Sequence, residues 1–88
     1  MQLSQKKRDK IAEQILSHLY HNYPKMFFTS QVAQEIARDE EFIKSLLFEL
    51  KAKDLVASIK KNPDGLLYSR RIRWRLSNKA YDAYKASP

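Results

Sequence analysis

Residues 29–50 read TSQVAQEIARDEEFIKSLLFEL and hold two apolar stripes of helical spacing with a short break between them. In the first stripe, Val32, Ala33 and Ile36 recur at intervals of three or four residues, which places them on one face of a short helix. The second stripe is longer and consists of Ile43, Leu46, Leu47 and Leu50. Because the break covers only residues 37–39, the second helix must turn sharply against the first, as in helix-turn-helix units.

Polar residues mark where these two helices begin. Thr29-Ser30 is an N-cap signal for the first and Asp39 for the second, because their side-chain oxygens can accept from the free N–H groups of a first turn. Glu40 and Glu41 follow Asp39, in the turn where the helix dipole favours acids. The pattern therefore predicts helices over residues 29–37 and 39–53.

A longer helical stripe precedes this pair. Its apolar members lie three or four residues apart and are Ile11, Ala12, Ile15, Leu16, Leu19, Tyr20 and Tyr23. Ser4 can cap the start, and Pro24 closes the segment because proline disfavours helical geometry at the preceding residue and has no N–H to donate. We expect a helix over 4–23, followed by a short extended apolar pair, Phe27-Phe28.

Beyond residue 54 the apolar period changes from 3.6 to 2, which is typical of strands. The turn signal Asn62-Pro63-Asp64-Gly65 separates two such runs, so residues 55–76 read as a β-hairpin. In the second run, Ile72, Trp74 and Leu76 share one side. A lone hairpin is marginal in water, so this side must lie on the helices. Ser77 then caps a last helix over 77–86.

The predicted fold class is α+β, mainly α, in one domain over residues 1–88. It has a three-helix core, a two-stranded hairpin and a short C-terminal helix. The length of 88 residues leaves room for one core only. We therefore expect neither a ligand-sensing domain nor a long dimerisation helix.

Three stretches resemble the winged helix-turn-helix domain of prokaryotic and archaeal transcription regulators, a pattern that MarR-like and ArsR-like proteins share. Residues 29–36 resemble its second helix, residues 43–56 the end of its recognition helix and the start of its wing, and residues 74–80 its strand-to-helix ending. Two positions depart from the family pattern, since Asp54 and Ala80 stand where glycine is usual. The fold tolerates both replacements where the local φ is negative.

The resemblance implies a DNA-binding domain, with helix 39–53 in the major groove and the hairpin as a wing on the backbone or in the minor groove. The formal net charge of +7 supports a polyanionic partner. Residues 55–88 carry eight basic and two acidic side chains, whereas residues 39–54 carry three basic and five acidic ones. The candidate DNA contacts are Lys44, Ser45, Lys51, Lys60, Lys61, Arg70, Arg71, Arg73 and Arg75.

Several side chains near this surface leave alternatives open. Glu40 and Glu41 either stabilise the helix start or enter the groove, where a glutamate can accept from a cytosine amino group. Phe42 and Phe48 meet thymine methyls, pack under the wing or contact a protein. The basic start of the first helix, which includes Arg8, reaches a flanking phosphate or is simply solvated. Tyr81 and Tyr84, on the last helix, close the core against Trp74 or pair with a second chain.

Other chemistry is not indicated. The absence of cysteine excludes thiolate nucleophiles and cysteine zinc sites. His18 and His21 could face one metal, but two ligands do not make a site; the simpler interpretation has His18 on the surface and His21 packed or on the surface. We expect no catalytic residue, metal or cofactor, and the longest apolar runs are far too short to span a bilayer.

These observations favour a DNA-binding protein that regulates transcription by occupying its site, in the cytoplasm with the nucleoid. Palindromic sites would require a homodimer through the first or the last helix. One alternative is a winged-helix subunit that binds other proteins in a transcription or replication complex. Another is a chromatin-like or RNA-binding protein without sequence preference.

Overall fold

A computed structural model describes residues 4–60 and 72–86, and the elements below are those of this part of the chain. Four helices and three strands follow one another in the order α1 (Gln5–His21), β1 (Phe27–Phe28), α2 (Thr29–Ile36), α3 (Glu40–Ala52), β2 (Val56–Ile59), β3 (Arg73–Leu76) and α4 (Asn78–Ala86). The predicted turn at residues 62–65 lies outside the described residues. Each helix begins and ends within two residues of its predicted bounds.

Three of the four predicted helix caps form. The Ser4 hydroxyl accepts from the Lys7 N–H at 3.3 Å, Asp39 Oδ2 from the Phe42 N–H at 3.1 Å, and the Ser77 hydroxyl from the Ala80 N–H at 3.0 Å. In each case a side-chain oxygen satisfies a backbone donor that the first turn leaves free.

The predicted Thr29-Ser30 cap of α2 is wrong. The helix already includes Thr29, and Phe28 is the residue before its first turn. Gln31 reaches back so that its Oε1 accepts from the Phe28 N–H at 2.8 Å. The Thr29 hydroxyl is instead buried, and it accepts from Trp74 Nε1 at 2.8 Å. The hydroxyl that the sequence pattern assigned to the helix cap therefore accepts a hydrogen bond from a tryptophan that is distant in the sequence.

The sheet has three antiparallel strands in the order β1-β3-β2. The sequence predicted only the two strands of the hairpin. Strand β3 is central: Trp74 lies opposite Ser58 of β2 on one side and opposite Phe27 of β1 on the other. The extended pair Phe27-Phe28 thus adds an edge strand. Since a two-stranded hairpin is marginal alone, this pairing helps to fix β3 to the helical part.

The core is built from the apolar stripes that the sequence predicts. Helix α1 contributes four buried residues and α3 another four, and Ile72, Trp74 and Leu76 close the core from the sheet. Trp74 has 0% of its surface exposed and is the largest fully buried side chain. None of the described helices combines the length and apolar character needed to cross a membrane.

Two helices are each followed by a residue that adopts the left-handed conformation although it is not glycine. After α2, Ala37 has φ 62° and ψ 47°, and after α3, Asp54 has φ 62°. At each site the two hydrogen bonds of a Schellman ending form, for example from Arg38 N–H to the Ala33 carbonyl at 3.1 Å and from Leu55 N–H to the Leu50 carbonyl at 3.0 Å.

The tolerance of Asp54 therefore does not rest on a negative φ. Aspartate visits the left-handed region more readily than most residues because its short polar side chain can bond locally. Alanine has no such compensation. The left-handed conformation of Ala37, at the corner between α2 and α3, therefore costs more conformational free energy than that of Asp54. Ala80 lies inside α4, where the right-handed helix suits alanine.

Replacing Ala37 by glycine should raise the free energy of unfolding by about 0.5–1 kcal/mol, the relief of left-handed strain less the added freedom of the unfolded chain. Urea titration followed by circular dichroism measures the change. Ala83→Gly is the matched control, because it makes the same substitution at an exposed position within α4 and should destabilise by about 0.8–1 kcal/mol. A destabilised Ala37→Gly protein would contradict the assigned left-handed ending.

Candidate nucleic-acid interface

The exposed face of α3 carries three of the predicted contacts around one aromatic ring. Ser45 and Lys51 are exposed and Lys44 is half-buried. Phe48 lies four residues after Lys44 and three residues before Lys51, so helical spacing places these side chains on neighbouring positions of one surface. The Ser45 hydroxyl donates to the Phe42 carbonyl at 2.8 Å, which leaves its oxygen available to accept from a ligand.

Lys60, which directly follows β2, joins this surface. Its Nζ lies 5.6 Å from the centre of the Phe48 ring, within the range of a cation–π contact. The same ring meets Trp74 edge-on, with ring centres 5.2 Å apart and planes at 89°. We call Lys44, Ser45, Phe48, Lys51 and Lys60 the α3 patch. The structure thus brings together four of the nine predicted contacts, from a helix and from the end of a strand.

Arg73 and Arg75 lie on a different surface. Both alternate with Trp74 along β3 and therefore occupy the outer side of the sheet, where they are half-buried. Arg75 Nη1 donates to the Leu76 carbonyl at 2.8 Å and to Asn78 Oδ1 at 3.1 Å. Asn78 Oδ1 also accepts from the Tyr23 hydroxyl, so Asn78 links Arg75 of β3 to the turn that follows α1. Lys61, Arg70 and Arg71 lie outside the described residues.

Most acidic side chains of the segment 39–54 have a local role. Asp39 caps α3, and Glu40 and Glu41 occupy its first turn, where the helix dipole favours them. Glu49 forms an ion pair with Arg8 of α1. Asp54 lies 3.9 Å from Lys79 Nζ, although both side chains are well exposed and the pair is weak. The net negative charge of this segment is therefore compensated in part by neighbouring cations.

Arg8 is a residue whose role the sequence does not reveal. Besides its ion pair with Glu49, its guanidinium carbon lies 5.5 Å from the centre of the Phe42 ring. One side chain from α1 therefore holds two residues of α3 that are seven positions, or about two helical turns, apart. Phe42 is half-buried and packs against the core rather than facing outward. Only the tertiary structure shows that Arg8 contacts the candidate recognition helix.

The two histidines lie in different surroundings. His18 is half-buried rather than on the surface: its ring packs 4.8 Å from that of Phe27, and its Nδ1 lies 3.8 Å from Glu35 Oε1. His21 is exposed, and its Nδ1 lies 2.7 Å from the Ser17 carbonyl oxygen. No group of three or more histidine or acidic side chains able to hold a metal occurs among residues 4–60 and 72–86.

Tyrosines of α1, of the turn that follows it and of α4 form an aromatic cluster on another side of the fold. Tyr23 stacks on Tyr81 with ring centres 3.9 Å apart and planes at 12°, and Tyr20 lies 5.5 Å from Tyr81 and 5.8 Å from Tyr84. Tyr81 packs against the core, which is one of the two alternatives left open by the sequence. Tyr84 does not, since 41% of its surface is exposed.

The MarR-type regulators ZitR and MepR have solved structures with the same fold. A mutant of Lactococcus lactis ZitR in apo form is 19% identical with a TM-score of 0.68, over 91% of this chain and 55% of that chain. A MepR mutant from a multidrug-resistant S. aureus clinical isolate is 21% identical with a TM-score of 0.64, over 91% of this chain and 62% of that one. A second S. aureus MepR mutant, bound to an oligodeoxyribonucleotide, is 20% identical with a TM-score of 0.63, over 92% of this chain and 64% of that one.

These likenesses confirm the predicted winged-helix fold, and the chain spans about half the length of the ZitR chains that it matches. At such low identity they establish the fold alone. Protein-family models and the sequences of curated proteins give no match.

Proposed function

We propose that this winged-helix chain binds double-stranded DNA and regulates transcription by occupying its site, without performing chemistry. The α3 patch would face the major groove, and the hairpin over residues 55–76 would follow the adjacent backbone. The observation that carries the proposal is the contact of Lys60 with Phe48, because it joins Lys60, directly after β2, to the lysines of α3 in one continuous surface.

Charge supports a nucleic-acid partner. The chain has a formal net charge of +7, and phosphate contacts by lysine and arginine supply most non-specific affinity through counterion release. On α3, Glu49 opposes binding less than its charge suggests, since it is paired with Arg8. The similar MepR structure that holds an oligodeoxyribonucleotide adds a precedent for this fold.

The remaining candidate contacts belong to the same proposal. Arg73 is available on the outer side of the sheet, and Lys61, Arg70 and Arg71 extend the hairpin's charge along the sequence. Arg75 is already engaged with Asn78, so we expect it to contribute less to DNA binding than Arg73.

We further propose that the DNA-bound form is a homodimer through α1 and α4. The exposed ring of Tyr84 lies beside Tyr20 on these two helices, so a second copy could extend the aromatic cluster. A dimer presents two copies of α3 and would read an inverted repeat whose half-sites lie about one helical turn, or 10–10.5 base pairs, apart. The protein would act in the cytoplasm, on the nucleoid.

Selection of bound duplexes from random-sequence DNA tests the proposal. We expect the selected duplexes to share a common sequence. The affinity of the protein for this sequence should exceed its affinity for unrelated DNA by about a thousandfold or more at physiological salt. An inverted repeat among the selected duplexes, with sedimentation of the complex at two chains per duplex, would support the dimer. A single half-site with one chain bound would contradict it.

Two other outcomes would replace the proposed function. Steeply salt-dependent binding without sequence preference would favour a chromatin-like protein, or an RNA-binding one if duplex RNA competes. Absence of duplex binding even at low salt would favour a module that binds other proteins.

A further inference from the structure

Phe48 is an exposed ring that the fold holds in place. It is one of three large apolar side chains exposed among the described residues, at 37%. One edge-on contact joins it to Trp74, which is fully buried and donates a hydrogen bond to Thr29. Because Trp74 cannot move without opening the core, it limits how far the Phe48 ring can turn inward.

The surroundings of the ring are cationic and polar. Lys44, Ser45 and Lys51 lie within one helical turn of Phe48 on the same face of α3, and Lys60 places its Nζ against the ring. An apolar centre within a rim of cations complements a surface that is anionic at its rim and apolar at its centre. The major groove at a thymine has this character, since phosphates border it and the C5-methyl group lies on its floor.

We infer that Phe48 determines specificity by contacting the C5-methyl group of a thymine in the major groove. This inference rests on the proposed function and deepens it, because it names the base feature that the α3 patch reads. Lys51 and Lys60 would hold the phosphates on either side, and the ring between them would displace water from the methyl group. An apolar contact of this kind distinguishes thymine from cytosine without a hydrogen bond.

Replacement of thymine by deoxyuridine tests the inference, because it removes the methyl group and leaves the base-pairing edge unchanged. Each thymine of the selected duplex is replaced in turn, and affinity is measured by fluorescence anisotropy. For the unaltered protein we expect about a fourfold loss at one position per half-site, the value of one buried methyl group. Phe48→Ala should bind the thymine and deoxyuridine duplexes equally at that position.

Two further variants separate recognition from folding. Phe48→Leu keeps an apolar side chain on Trp74 but reaches less far, so the discrimination should fall at the same position and nowhere else. Phe42→Leu changes a ring on the flank of α3 that faces Arg8, and it should leave the discrimination unchanged. Circular dichroism of each variant checks that the helices are retained.

The inference and the proposed function can fail separately. Specific duplex binding that is indifferent to every deoxyuridine replacement would overturn the role of Phe48 and leave DNA binding intact. The same holds if Phe48→Ala and Phe48→Leu keep the full discrimination. Failure to bind any duplex would remove the proposed function itself, and binding of a protein at the α3 patch, lost in Phe48→Ala, would assign the ring to a protein contact.

Discussion

Trp74→Ala is expected to lower the free energy of unfolding by about 3–5 kcal/mol, the usual result of emptying a buried aromatic position. Trp74 is fully buried, lies at the centre of the sheet and packs against Phe48. Natural domains are stable by only about 5–15 kcal/mol, so a chain this small should be largely unfolded or close to it. Urea titration followed by circular dichroism measures the change, since the variant has lost the only tryptophan.

Two milder variants divide this effect between packing and hydrogen bonding. Trp74→Phe keeps most of the apolar volume but leaves the Thr29 hydroxyl without its buried donor, which should cost about 1–3 kcal/mol. In Thr29→Val the tryptophan N–H loses its acceptor, and a similar loss is expected. If Trp74→Ala unfolds at the urea concentration of the unaltered protein, the central place of this residue in the core is refuted.

Lys51→Ala combined with Lys60→Ala should weaken DNA binding about 60-fold at 0.1 M salt, because each lost phosphate contact removes about 0.9 from the slope of log K against log salt. Both side chains are exposed members of the α3 patch. The loss should be nearly equal for the selected duplex and for unrelated DNA, since phosphates carry no sequence information. Anisotropy titrations at several salt concentrations give affinity and slope together.

A matched control removes the same charge elsewhere. Lys25 and Lys85 lie against Phe27 and Tyr81, away from the patch, and replacing both by alanine also lowers the formal net charge from +7 to +5. This control should keep nearly the full salt slope. Equal losses in the two double variants would mean that overall charge, and not the α3 patch, governs binding.

Much of the architecture could be predicted because its signals are local. Helical spacing of apolar residues is set by the geometry of the helix itself, and the caps at Ser4, Asp39 and Ser77 need only a backbone N–H three residues ahead. Alternation in the last strand likewise places Trp74 inward and Arg73 outward without knowledge of the partner.

The candidate site is less accessible from the sequence because it depends on contacts between distant segments. Lys44 and Lys51 can be assigned to one face of a helix by counting. The approach of Lys60 to Phe48 cannot, because it requires the relative placement of β2 and α3. Similarly, Arg75 counts as one more cation in the sequence, whereas in the fold its guanidinium is bound to Asn78.

The sequence by itself determined the number of helices, their faces and the basic character of the hairpin, since periodicity, capping and charge act within a few residues of the chain. Tertiary structure decided what each ambiguous side chain does. The Thr29 hydroxyl accepts from Trp74, and Phe27-Phe28 pairs with β3. Ala37 and Asp54 adopt the left-handed conformation, and Arg8 forms an ion pair with Glu49 of α3. These outcomes depend on which distant groups compete for the same atom or space, and that competition exists only once the core has closed.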